Sequence, residues 1–189
     1  MSPTDSNAMK AALEYASRGW YVIPLHSNEG SNCTCGNSKC KSAGKHPRIN
    51  DWRKDATTET SIIKAWWTRW PSANIGIVTG RDSGMVVVDV DGDEGDAAFR
   101  RLCAEQNFMP ETLTATTGRG RHHYFAHPGV EVPNSARTVA DGVDVRGDGG
   151  YIVAPLRGIG AALPTHGWQK TSLCSRPRTG SSGARATGK

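Results

Sequence analysis

The sequence predicts an α+β domain, and three features lead there. Three segments carry apolar residues at helical spacing. Seven shorter segments run apolar, or alternate apolar with polar, as strands do. Their order is helix, strand, helix, a strand pair, helix, then a run of strands, which suits helices laid on one face of a sheet. A chain of 189 residues is enough for one domain, and its 22 Gly and 10 Pro imply many turns.

Residues 7–18 read as the first helix, with Ala8, Ala11, Ala12, Tyr15 and Ala16 on one side and Gly19 as its stop. Trp20 to Leu25 is a short apolar strand. A polar, cysteine-bearing loop follows from His26 to Asn50. Residues 58–70 form the second helix; Ile62, Ile63, Trp66, Trp67 and Trp70 make its inward stripe and Pro71 ends it. Core packing, rather than base stacking, is the expected role of those tryptophans. Asn74 to Thr79 and Met85 to Asp91 are strands joined by a turn from Gly80 to Gly84. Residues 94–106 are the third helix, with Asp93 as N-cap. Strands are expected at 112–116, 121–126, 142–146 and 150–154. Beyond Pro155 the chain turns rich in Gly, Ser, Thr and Arg without periodicity, so 156–189 is expected to be a basic tail, disordered or truncated.

Charge divides the same way. The whole chain carries a formal +5, yet six of its 23 basic residues follow Asp148 and no acidic residue does. Residues 1–148 therefore hold 17 basic against 18 acidic residues, a formal charge of about −1. Contact between the body and nucleic acid must come from local patches rather than a global field. No apolar run approaches the ~20 residues of a membrane span, and the N-terminus has no apolar signal stretch. With three of five cysteines between positions 33 and 40, a disulfide framework is not indicated, and the expected compartment is the cytoplasm.

Three segments carry chemistry. In MVVVDVDGD (85–93), strand alternation puts Val86, Val88 and Val90 on one face and Asp89 and Asp91 on the other. Neighbouring carboxylates repel, which favours a cation between them. Oxygen ligands in an open site suit Mg²⁺ or Mn²⁺. In TTGRGRHHYF (116–125), Gly118 and Gly120 allow close backbone approach to a ligand, and Arg119 and Arg121 offer charge to phosphate. His122 and Tyr124 share one strand face, His123 and Phe125 the other, so one histidine reaches the open surface. In GVDVRGDGGYIVAP (142–155), Asp144 and Arg146 share a face, and Asp144 is positioned to complete a three-carboxylate site. Asp148 falls in the turn beyond, as a turn former rather than a ligand. Two acids, a His-bearing Gly/Arg loop and a further acid make a phosphoryl-transfer layout.

The loop at 26–50 holds a second constellation. Cys33, Cys35, Cys40 and His46 offer the soft ligands of a tetrahedral Zn²⁺ site, with His26 as the rival to His46. Lys41, Lys45 and Arg48 are candidates for phosphate contact, and Lys45 in GKHP for the nucleotide.

The motifs together resemble a known family. DVD at 89–91, Gly120-Arg121-His122 and Val143-Asp144 resemble the three ordered motifs of archaeo-eukaryotic-type primases. The closer likeness is to the bifunctional primase/polymerase N-terminal domain of plasmids, phages and other mobile elements. That family has stretches similar to ALEYASRGWYVIPL, AWWTRWPSANIGIVTG and DVRGDGGYIVAP, and the likeness runs from about residue 8 to Pro155. The resemblance implies an RRM-like catalytic sheet with helices on one face, joined to an N-terminal α/β unit within a catalytic domain spanning 1–155. It also implies metal ligation by Asp89, Asp91 and Asp144, with His122, rather than His123, at the incoming nucleotide. The implied reaction is template-dependent nucleotidyl transfer from (deoxy)nucleoside triphosphates on single-stranded DNA or a primer-template. A helicase on a separate chain is the implied partner, since 189 residues leave no room for a fused one. Two other readings fit part of the pattern. One is a zinc-bearing replication accessory module that binds nucleic acid without catalysis. The other is a haloacid-dehalogenase-type phosphatase, whose nucleophile motif is also an apolar strand followed by DxD.

Overall fold

The computed structural model describes residues 6–107 and 111–156. The expected basic tail, with Cys174, lies outside the described residues. The first helix, α1 (Asn7–Ser17), is capped by the Ser6 hydroxyl, which accepts a hydrogen bond from the Met9 amide at 3.1 Å. Its buried side is Ala8, Met9, Ala11, Ala12, Tyr15 and Ala16, the stripe its spacing predicts. β1 (Val22–Leu25) follows. The polar loop then folds a small hairpin, β2 (Asn28–Glu29) with β3 (Asn32–Cys33), and a short helix α2 (Trp52–Asp55). Neither has a periodic signature in sequence.

Helix α3 (Thr60–Arg69) buries Ile63 and Trp67 fully, and the Trp67 indole donates to the Ala73 carbonyl at 3.1 Å. Trp66 and Trp70 pack partly against the same core. Ile62, expected inside, is exposed: it lies about 100° round the helix from the buried Ile63, at the edge of the inward stripe. β4 (Asn74–Val78) and β5 (Met85–Asp91) come next, and β5 runs straight into α4 (Gly92–Glu105). Asp91 therefore occupies the N-cap position that Asp93 was expected to fill. Asp93 and Glu94 lie in the first turn, where acids complement the helix dipole. The remaining strands are β6 (Leu113–Thr116), β7 (Gly120–Ala126), β8 (Ser135–Ala140), β9 (Val143–Arg146) and β10 (Tyr151–Val153). β8 was not foreseen, since SARTVA lacks an apolar alternation and lies at a sheet edge.

The architecture is α+β with antiparallel sheets and few helices. Five strands form one sheet in the order β6-β7-β5-β9-β8, and three form another, β1-β4-β10. On one face of the larger sheet, Val86, Val88, Val90, Val143 and Val145 pack against Ala98, Phe99 and Cys103 of α4. On its other face, Met85, Val87 and Tyr124 join the core made by α1, α3 and β4. That cover stops at Val87. Two residues on, Asp89 is the next side chain on the same face; it is partly buried and lines a cavity rather than joining the apolar packing. Tertiary cover, not the strand itself, decides where the site begins.

β10 closes the smaller sheet. β10 pairs with β4, Ile152 opposite Ile77, and the Tyr15 hydroxyl donates to the Pro155 carbonyl at 2.6 Å. The turn between β9 and β10 is held by Asp148, whose two carboxylate oxygens accept from the amides of Arg81 (2.9 Å) and Val132 (2.7 Å). His127 Nε2 lies 3.2 Å from the same carboxylate. Burial opposes ionisation there, but the two amides and His127 outweigh it and hold the Asp148 carboxyl below its usual range. Among the described residues no helix is long and apolar enough to cross a membrane.

Candidate active site and cysteine cluster

Register assembles the site. β5 lies between β7 and β9, with Asp89 directly opposite His122 on one side and Asp144 on the other. Residues directly opposite in antiparallel strands share a face, so the three side chains form a row across three strands. His122 Nε2 lies 3.3 Å from Asp89 Oδ1. Asp144 Oδ2 accepts from Arg146 Nη2 at 2.9 Å, the pairing expected of residues two apart on one strand face. Burial pushes the Asp89 carboxyl up; the His122 hydrogen bond and the charges of His122, Arg146 and Lys45 more than reverse that. The net effect holds Asp89 below its usual range, so it is ionised at neutral pH.

Asp89 and His122 of this row form part of the wall of a cavity of about 860 Å³. Asp89, Asp91 and His122 line it from the sheet, and Thr116 to Arg119 from the β6–β7 turn. Lys45, Arg53 and Arg146 add cations from three further segments. With Arg119 that makes four cations to two carboxylates, on a body whose formal charge is close to zero. The cavity thus concentrates the local positive charge that a polyphosphate needs.

Not every expected residue arrives there. Arg121 falls on the opposite face of β7, 3.5 Å from Asp96 of α4, and is turned away from the cavity. Alternation already contained that answer, since Arg121 precedes His122 by one. Gly120 is needed by the sheet rather than by a ligand: a Cβ there would lie 1.8 Å from the Val90 carbonyl oxygen. Gly118 has open space around it and lines the cavity. Asp144 stands in the row but is not part of the cavity wall, being drawn to Arg146. His123 packs against Phe99 on the α4 side, where burial lowers its proton affinity. His122 Nδ1 and the Tyr124 hydroxyl are buried without a hydrogen-bond partner among the described residues.

Sequence reasoning did not assign a site role to Trp52, Arg53, Asn134, Arg146 or Tyr151, all of which line the cavity. For Arg146 the shared strand face with Asp144 was the available signal. Trp52 and Arg53 come from the unforeseen α2, where the Arg53 guanidinium lies 4.5 Å from the Trp52 ring centroid. Asn134 and Tyr151 arrive through chain reversals that no local pattern encodes.

The cysteine loop closes on itself. One ligand atom each from Cys33, Cys35, Cys40 and His46 lie within 4.8 Å of one another. His46 Nε2 is 3.5 Å from the Sγ atoms of both Cys33 and Cys40. His26 is excluded from this group: its Nδ1 is 3.0 Å from the Thr34 hydroxyl and its ring stacks on His46. Burial opposes ionisation of Cys33, but amides of Cys35 and Gly44 and the His46 side chain bring its thiol down to about 6. Cys40 is held up instead, with burial and its neighbouring thiols outweighing an amide hydrogen bond from Ser42, because adjacent sulfurs cannot all ionise without a cation. Among the described residues the carboxylates of Asp89, Asp91 and Asp144 form no comparably tight group.

Residues 12–176 match the profile of a family described as bifunctional DNA primase/polymerase, N-terminal. The chain belongs to that family. A search of curated proteins returned no match. The match to the primase/polymerase domain begins within α1 and runs past Pro155, into the segment read from sequence as tail. Membership makes nucleotidyl transfer the reaction class and implies use of a divalent metal. The donor set of this primase/polymerase domain fits one: Asp89 is ionised, exposes its carboxylate to the cavity, and has Asp91 beside it on the same face. The Cys₃His group fits zinc by ligand type and number.

Proposed function

We propose that the chain is a template-dependent nucleotidyl transferase, a DNA primase/polymerase that adds nucleotides to a 3′-hydroxyl. The observation that carries this is the in-register row His122–Asp89–Asp144, of which His122 and Asp89 line a cation-bearing cavity. In this reading the five-stranded sheet is the RRM-like catalytic sheet and the three-stranded unit its N-terminal support. Lys45, Arg119 and Arg146 neutralise the triphosphate, and His122 shares its Nε2 edge between Asp89 and a phosphate oxygen. Asp89, Asp91 and Asp144 would hold Mg²⁺ or Mn²⁺, which in a two-metal scheme supplies charge neutralisation at the reacting phosphate and activates the attacking hydroxyl. The 3′-oxygen bonds to the α-phosphorus, the hydroxyl proton leaves, and pyrophosphate departs. His122 keeps Asp89 ionised and oriented throughout. The Cys₃His group holds structural zinc. The setting we assign is replication of a mobile element, in the cytoplasm, with single-stranded DNA or a primer-template as substrate and a helicase on another chain as partner.

The test is incorporation of labelled nucleotides on single-stranded DNA, with and without an annealed primer, in Mg²⁺ or Mn²⁺. Metal-dependent extension lost in Asp89→Asn/Asp91→Asn establishes the polymerase, and product without a primer adds priming. A folded protein that binds DNA and zinc but incorporates nothing returns the chain to the accessory-module reading.

A further inference from the structure

Lys45 belongs to both constellations. It lines the cavity together with Asp89, Arg119 and His122. Its backbone sits inside the cysteine loop, one residue before His46. On that side the His46 carbonyl accepts from the His26 amide at 2.8 Å. On the other, the Gly44 carbonyl accepts from Asn74 Nδ2 at 2.8 Å, in a left-handed conformation (φ 74°) that glycine adopts without strain. The Lys45 carbonyl itself accepts from the Tyr151 hydroxyl at 3.0 Å, a bond that crosses to β10.

Between Cys33 and His46 no helix or longer strand supports the chain; turns do. Ordering an open loop of that kind costs conformational entropy at every residue. If a ligand had to order it, that cost would come off the binding free energy. Closure of the four-ligand group removes it beforehand.

We propose that the Cys33–Cys35–Cys40–His46 group, closed by zinc, positions Lys45 at the phosphate-binding end of the cavity, so that metal at one site sets affinity for triphosphate at the other. The proposal rests on the nucleotide-binding reading of the cavity. His46 is a positioning residue, acting through Lys45.

The experiment measures equilibrium binding of a non-hydrolysable deoxynucleoside triphosphate to the full chain in Mg²⁺. Wild type and Lys45→Ala are each compared zinc-loaded and zinc-stripped, with zinc content measured directly. Zinc removal should weaken binding about tenfold in wild type and less than about twofold in Lys45→Ala. Thermal melts of all four samples report folding separately. His46→Cys, which restores four ligands, should keep both zinc and tight binding, whereas His46→Ala should lose both. Equal weakening in the wild-type and Lys45→Ala backgrounds overturns the proposal, as does no weakening in either. So does a folded protein that takes up no zinc. Zinc-loaded wild type that binds no triphosphate at all overturns the nucleotide reading itself, an outcome distinct from lost coupling.

Discussion

The two candidate metal centres differ in how far the protein alone assembles them. The cysteine group draws four ligand atoms to within 4.8 Å of one another, whereas the three carboxylates form no such group. Charge explains the difference. Thiols can sit together because they need not all ionise at once, as the opposed shifts of Cys33 and Cys40 indicate. Carboxylates ionise at neutral pH and repel, and two of the three take a cationic or proton-donating neighbour: Asp89 takes His122 and Asp144 takes Arg146. The first centre suits a closed structural metal, and the second an open one completed by substrate oxygens.

The sharpest way to break this contrast is to injure each centre and see which property fails. Asp89→Asn should lower nucleotide incorporation by roughly 10³-fold, the several kcal/mol expected of metal-assisted charge stabilisation. Its thermal midpoint should change little, because Asp89 lies beyond the apolar cover. A large loss of stability with activity retained would invert the assignment of the two centres. On the other side, zinc removal should speed amide exchange within 26–50 by roughly tenfold or more while sparing β4 and β5, as read by mass spectrometry. Exchange rising throughout the core would mean that the cysteine group holds the fold rather than the loop.

Asp148 tests whether acidity near the site is enough to mark a ligand. Asp148→Ala should cost about 1–3 kcal/mol in urea unfolding, since the amides of Arg81 and Val132 lose their acceptor. Its carboxyl is held below the ordinary value of 3.8, so its contribution is complete above that pH and fades as pH falls through the depressed value. Wild type and variant should therefore converge in stability at strongly acidic pH, and a constant difference would argue against the ionised carboxylate as the cause. Arg119→Ala should raise the nucleotide KM about tenfold with kcat nearly unchanged, the loss of one charge-assisted contact. Arg121→Ala, facing α4 instead, should change KM less than about twofold and stability by under about 0.5 kcal/mol. Equal effects of the two arginines would undo the face assignment of β7.

How much was legible in advance varies with the range of the interaction. The helices over Asn7–Ser17 and Thr60–Arg69 announce themselves by apolar spacing, and β5 by its run of valines ending in acids. Alternation alone separates His122 from His123, and it separates Arg121 from the cavity as well, although the Gly/Arg composition of that loop pointed the other way. The spacing of Cys33, Cys35, Cys40 and His46 predicted a cluster that the fold does form, and packing chose His46 over His26 by giving the latter to Thr34. β8 and α2 carry no such signal, since neither SARTVA nor WRKD shows an apolar period.

The sequence by itself determined which side chains share a strand face and which ligands lie close along the chain, because pleat and short loops are local geometry. Only the tertiary structure decided that Asp89 stands between His122 and Asp144, that apolar cover ends at Val87, and that Lys45, Arg53 and Tyr151 come to one cavity. Those facts depend on strand register and on how two sheets pack, which are set by contacts between residues far apart in the chain.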